Sequence, residues 1–271
     1  MAATPETTDK SAALARLYDV DLIEDPGDVD MYVALARRTG GPVLEIAAGS
    51  GRVAVPLAEA GFDVTAVDFD PAMLARAAAA ADAAGSAVRN RLELIEADLV
   101  GLELAGGRRF NLAILALNSI LLMGTIEHQR AALETMARHL APGGIAVVDV
   151  WLPNAAELAG YDGRLSLEYF RTDPESGNEI VKTASAVHEP TQGTVDLNVI
   201  YHEIEASGAA KLWTRSDRLR LLNAGDLAFL ANLAGLDVEV VAANYDLDPI
   251  GPHDERAILI AQRRDRPVSR D

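Results

Sequence analysis

A chain of 271 residues with 49% hydrophobic content has apolar material enough for a sizeable core, as one large domain or as a domain carrying an insert. A formal net charge of -17 with no cluster of Lys and Arg argues against a nucleic-acid partner, and the absence of cysteine excludes disulfides, thiolate zinc sites and a cysteine nucleophile together. No apolar run approaches the roughly 20 residues of a membrane span, so a soluble cytoplasmic protein without a membrane partner is expected, with frayed polar tails at Met1 to Lys10 and Arg264 to Asp271.

In chain order, Ser11 to Tyr18 and Asp28 to Arg38 read as two helices, the second carrying Met31, Val33, Leu35 and Ala36 ahead of a Gly40-Gly41 stop. Together they suggest an N-terminal helical lid over residues 1–41. Val43 to Ile46 then reads as a short buried strand, Ala47 to Gly51 as a small-residue turn, and the following segment as a helix stopping at Gly61. Asp63 to Val67 predicts a second strand ending at Asp68. Asp70-Pro71 is a helix start, with an acid at the cap and proline in the first turn, and the alanine-rich run after it ends at Gly85. Arg91 to Glu96, Phe110 to Leu117 and Ile145 to Val150 give three further strands. A helix from about Ile126 to Leu140 precedes the last of them and stops in Ala141-Pro142-Gly143-Gly144. Continuous apolar strands alternating with helices predict a doubly wound, Rossmann-like α/β fold, whose ligands sit at the carboxyl ends of the strands.

After Trp151 the period changes to two. Leu165 to Thr172, Glu179 to His188, Thr194 to Ile204 and Lys211 to Leu221 alternate and are separated by turn clusters such as Asp173-Pro174-Glu175-Ser176-Gly177. They predict an antiparallel β insert over residues 151–221, inside an α/β domain made of residues 42–150 and 222–264. Helix resumes over Ala224 to Ala234 and strand over Asp237 to Tyr245 and Arg256 to Gln262.

Four predicted strand ends present polar groups to one edge: Glu45 with Gly49 and Gly51, then Asp68, Asp98 and Asn118. A turn of Ala and Gly lets a ligand lie against bare backbone, and the helix start behind it is expected to offer unpaired N–H groups. Gly49 to Asp68 is close to the spacing of about 20 residues at which an acid reaches a ribose diol. Glu45 is placed to receive an ammonium, and Asp98 to read an adenine amino group. The same Gly49-x-Gly51-x-x-Ala54 run also satisfies the dinucleotide fingerprint, which keeps a nicotinamide or flavin oxidoreductase open.

At these residues the sequence resembles the class I S-adenosylmethionine-dependent methyltransferases. The resemblance is carried by Val43-Leu44-Glu45-Ile46-Ala47-Ala48-Gly49-Ser50-Gly51-Arg52, Val67-Asp68-Phe69-Asp70-Pro71-Ala72-Met73-Leu74, Glu96-Ala97-Asp98-Leu99 and Leu140-Ala141-Pro142-Gly143-Gly144. It implies S-adenosyl-L-methionine as cofactor and S-adenosylhomocysteine as product. Glu45 and the Ala47 to Gly51 backbone would serve the methionine part and Asp68 the ribose. Phe69 and Met73 would surround the adenine, and Asp98 and Leu99 would touch its edge. Ala47 stands where that family usually has glycine; one added methyl is expected to be tolerated. Tyr18, the Asn118-Ser119 pair and the late meander resemble the small-molecule branch, notably sugar N-methyltransferases of natural-product pathways.

The expected reaction is methyl transfer to N, O or C of a small-molecule acceptor, with Tyr18, Asn118 and His202 as candidate catalytic residues beside the methyl group. His188 and His202 fall roughly 27 Å apart at about 3.4 Å per residue on paired strands, too far to share an ion, and no metal is expected. Tyr169, Phe170, Tyr201, His202 and Trp213 give the insert a face that suits an acceptor pocket or a homodimer contact. A methyltransferase-fold protein that keeps the cofactor without methylating also remains open.

Overall fold

The computed structural model describes residues 5–264; the remaining residues of the two predicted tails lie outside them. Helix α1 spans Pro5–Asp21 and α2 Val29–Thr39, after which come β1 (Val43–Ile46), α3 (Ala54–Glu59), β2 (Val64–Asp68), α4 (Pro71–Ala84), α5 (Ser86–Arg89) and β3 (Leu92–Glu96). Strand β4 (Phe110–Leu115), α6 (Ile126–His139), β5 (Leu140–Trp151) and α7 (Ala155–Gly160) lead into β6 (Ser166–Thr172), β7 (Glu179–Glu189), β8 (Thr194–Ile204) and β9 (Ala210–Arg220). The described chain closes with α8 (Ala224–Leu233), β10 (Leu236–Ala242) and β11 (Arg256–Arg263).

These elements fall into two compact units, and the chain visits each twice: Gly27–Leu152 with the segment from Leu222 onward, and the described residues up to Pro26 with Pro153–Leu221. The two N-terminal helices expected as one cover are thereby divided, α1 going with the insert and α2 with the α/β unit.

In the α/β unit a seven-stranded sheet has the order β10-β11-β5-β4-β1-β2-β3, with β11 antiparallel to both its neighbours and the others parallel. The order reverses between β1 and β4, which is where a doubly wound sheet opens a crevice for a ligand. Every residue of β1 and β2 is buried, as strands covered on both faces require. Helix α4 starts as its sequence predicts, the Asp70 side chain accepting from the Ala72 N–H at 2.8 Å with Pro71 in the first turn. One boundary changes the kind of element. Leu140 to Gly144, expected as a helix stop, already belongs to β5, with a register shift opposite, between Phe110 and Leu112. Gly144 permits this, since a Cβ there would lie 3.0 Å from the carbonyl oxygens of Ala141 and Phe110.

In the other unit β6 to β9 form an antiparallel sheet in sequence order. Its register places Tyr169, Lys182, Tyr201 and Trp213 side by side, and Phe170, Val181, His202 and Leu212 in the next row. Side chains alternate faces along a strand, so these two rows lie on opposite sides of the sheet. The first row packs with Leu14, Leu17 and Val20 of α1 in a small core. Asp21 at the end of α1 accepts from the hydroxyls of Tyr169 (2.6 Å) and Tyr201 (2.7 Å) and pairs with Lys182. Arg16 pairs with Asp173 and Glu203, and Glu203 also receives the Trp213 indole N–H at 2.7 Å. Tyr169, Tyr201 and Trp213 are thus packing and anchoring residues under α1. His202 and the exposed Phe170 and Leu212 occupy the face α1 leaves open. His188 is level with Val195 and His202 with Val181, seven residues apart along the ladder.

Candidate functional site

The turn after β1 curls because Ala47, Gly49 and Gly51 all take positive φ, 55°, 56° and 83°. For Ala47 this left-handed conformation carries a steric cost of about 1–2 kcal/mol that glycine avoids. Gly51 has a second constraint: a Cβ would meet Cβ of Ala77 on α4 at 3.0 Å, so turn and helix touch through bare backbone. The expected supply of unpaired N–H groups is not what the turn presents. Ala48 donates to the Val67 carbonyl, Gly49 to Oδ2 of Asp68 at 2.8 Å, Gly51 to the Ala48 carbonyl and Val55 to the Gly51 carbonyl. Ala54, at the start of α3, donates to the carboxylate of Glu45. These donors are used inside the protein, and what surrounds the turn is acid.

Glu45 is 2% exposed, its Oε2 has no hydrogen-bond partner, and burial is the largest effect pushing its carboxyl up to about 8, helped by Asp28 and Asp68 and opposed by Arg52. Asp28, just ahead of α2 and fully buried, holds the Arg52 guanidinium with two bonds of 2.5 and 2.7 Å. Asp149 on β5, also fully buried, takes the Arg256 guanidinium at 2.5 Å and the Tyr245 hydroxyl at 3.2 Å, and burial raises its carboxyl above the ordinary range. The Tyr32 hydroxyl has no partner either, and its burial, followed by Asp149, Asp28 and Glu45, keeps it protonated. Asp68 accepts from Gly49 on one oxygen and from the Asp70 N–H, 2.9 Å, on the other. A cluster of four buried carboxylates and two paired guanidiniums suits a cation and repels a pyrophosphate.

The other expected residues are distributed as follows. Phe69, just after β2, is 74% exposed, and Met73 is half-buried on α4. Leu99 is buried; Asp98 is exposed and its side chain accepts from the Val100 N–H. Asn118 has positive φ, its N–H donates to the Asp149 carbonyl, and its Oδ1 accepts from the Trp151 N–H, which ties the ends of β4 and β5 together. Glu45, the turn, Asp68, Phe69, Met73, Asp98, Leu99 and Asn118 therefore share one unit, whereas Tyr18, half-buried on α1, and His202 belong to the other. Asp28, Tyr32, Asp149, Tyr245 and Arg256 were not singled out from the sequence. Asp149 had a signal, as a lone acid in the apolar run Ile145 to Val150.

A groove lined by Pro42, Asp63, Asn90, Arg91 and Arg108 lies at the opposite, amino-terminal strand ends and takes no part in this cluster. Among the described residues no group of three or more His, Cys, Asp or Glu side chains is placed to hold a metal, and no helix is long and apolar enough to cross a membrane.

Residues 43–144 match a family model described as a methyltransferase domain. The cypemycin N-terminal methyltransferase of a Streptomyces species is 26% identical over 83% of this chain and 84% of its own length. Among solved structures, the CcbJ methyltransferase from Streptomyces caelestis is similar with a TM-score of 0.72 at 23% identity, over 88% of this chain and 96% of that one. The sugar N-methyltransferase KedS8 from Streptoalloteichus gives a TM-score of 0.68 at 23% identity, over 92% of this chain and 93% of that one.

Proposed function

Because the chain is a class I S-adenosylmethionine-dependent methyltransferase, related in fold to methyltransferases of natural products, we propose that it methylates an amine nitrogen of a small molecule. The observation that carries this reading is the acid-lined turn: Glu45, Asp28, Asp68 and Asp149 make a setting for cationic ligands, and the net charge of -17 raises the local concentration of protonated amines. Of the similar proteins, one is described as the cypemycin N-terminal methyltransferase and one as a sugar N-methyltransferase.

In this reading the cofactor supplies an electrophilic methyl on a sulfonium sulfur. The unpartnered Oε2 of Glu45 receives the ammonium of its methionine part, along the bare backbone of Ala47 to Gly51. Asp68 keeps acceptor capacity beyond its two N–H partners for a ribose hydroxyl. Phe69, Met73 and Leu99 flank the adenine, Asp98 meets its edge, and Asn118 closes the β4 end of the site. These residues bind, orient and exclude water. An amine acceptor drawn in as its cation needs only to lose one proton to solvent before its nitrogen attacks, so no triad is required.

We assign acceptor recognition to the β insert, with Tyr18 and His202 as candidates for contact with it. The open sheet face with Phe170 and Leu212 exposed also suits a contact between two copies of the chain. The test is transfer of labelled methyl from S-adenosylmethionine to free amino sugars and peptides, each beside its N-acetylated counterpart. Label in the free amines alone is expected; equal labelling of the acetylated forms would point to an oxygen or carbon acceptor instead.

A further inference from the structure

Glu45 is the acid of the buried cluster whose charge the protein leaves least compensated. The Arg52 guanidinium is bidentate on Asp28 and that of Arg256 lies on Asp149, while Asp68 is held by two N–H groups. Glu45 has the N–H of Ala54 on its carboxylate and nothing on Oε2. The four carboxylates and two guanidiniums of the cluster leave two negative charges over, and a bare buried carboxylate without a cation is costly.

We propose that Glu45 is a neutral carboxylic acid in the ligand-free protein and ionises as an ammonium group arrives, so that cofactor binding expels one proton to solvent. The exchange balances: the O–H bond of the acid breaks, the proton leaves to buffer, and the carboxylate pairs with the incoming cation. The groups acting on Glu45 come from each neighbouring element. Asp28 and Tyr32 lie on the α2 side, Arg52 just after the turn and Asp68 at the end of β2; Asp149 on β5 acts on Tyr32 and Asp28 rather than on Glu45. Arg52 favours the ionised form; the acids and burial oppose it and prevail, which puts the carboxyl at about 8. Protonated, Glu45 still accepts the Ala54 N–H, so the start of α3 is held in both states.

This inference rests on the cofactor reading above, and calorimetry separates the two. S-adenosylhomocysteine is titrated at pH 6.5 in phosphate and in imidazole, whose ionisation heats differ. Close to one proton released per ligand is expected, with affinity rising about tenfold per pH unit between pH 5.5 and 7.5 and levelling above 8. Methylthioadenosine, which lacks the amino-acid part, should bind without proton release, as should S-adenosylhomocysteine to Glu45→Gln. Binding of S-adenosylhomocysteine to the unaltered protein with buffer-independent heat overturns the inference alone, as does release that persists in Glu45→Gln. Absence of any binding at millimolar ligand overturns the cofactor reading as well.

Discussion

Asp68 shows how much one side chain can be asked to do. From the sequence it is assigned a ribose, yet its two oxygens receive the N–H groups of Gly49 and Asp70 and so brace the turn that defines the site. Asp68→Ala should therefore weaken S-adenosylhomocysteine binding by about 1.5–3 kcal/mol and also lower unfolding stability by about 1–3 kcal/mol, because two turn N–H groups lose their acceptor. Titration calorimetry and urea unfolding on the same variant read the two losses separately. Ala47→Gly should move stability the other way, up by about 0.5–1 kcal/mol, since relief of the left-handed strain exceeds the entropy glycine adds to the unfolded chain. Glu45 predicts a pH dependence. Its carboxyl ionises near 4.5 unfolded and about 8 folded, so between those values the folded state holds a proton the unfolded state has lost. Stability of the ligand-free protein should then fall as pH rises from about 4.5 to 8, and melting curves of Glu45→Gln should lack that part of the decline. Glu45 and the turn glycines were legible from sequence because the motif is contiguous. Asp28, Tyr32 and Asp149 were not, because they gain meaning only when separate elements bring them together.

Among the elements, the β insert was the most legible in outline and the least in detail. Period-two alternation located all four strands within a residue or two, since turn clusters bound them on both sides. Alternation does not say which face is covered. Tyr201 and His202 are adjacent, so they point to opposite sides of the sheet and cannot line one pocket, and the Tyr201 face turned out to be the seat of α1. Helix α1 was read too short, as Ser11 to Tyr18, because the residues that extend it, Pro5 to Lys10 and Asp19 to Asp21, are mostly polar and carry no apolar period. The anchor of this packing is Asp21, on which two hydroxyls and an ammonium converge. Asp21→Ala leaves the buried Tyr201 hydroxyl without its acceptor and should destabilise the α1–sheet unit by about 1–3 kcal/mol. Hydrogen exchange should report this as faster exchange in α1 and in β8, with the strands β1, β2 and β4 unaffected.

For the molecule as a whole, the succession of strands and helices, the cradle and the place of the insert in the chain could be read from the sequence, because each rests on local pattern. The division into two units could not, since it depends on which sheet each N-terminal helix packs against. The charge character of the site is the feature that decides between cofactors. The fingerprint glycines fit a dinucleotide as well as S-adenosylmethionine, but the N–H groups identified in the turn are already donated, and four buried acids crowd the place a pyrophosphate would need. A thermal melt of the unaltered protein with S-adenosylhomocysteine or with a nicotinamide dinucleotide, each at about 1 mM, tests this most directly. With micromolar affinity S-adenosylhomocysteine should add about 4 kcal/mol of stability and raise the melting temperature by several degrees, while the dinucleotide leaves it unchanged. A rise with the dinucleotide and none with S-adenosylhomocysteine would contradict the account.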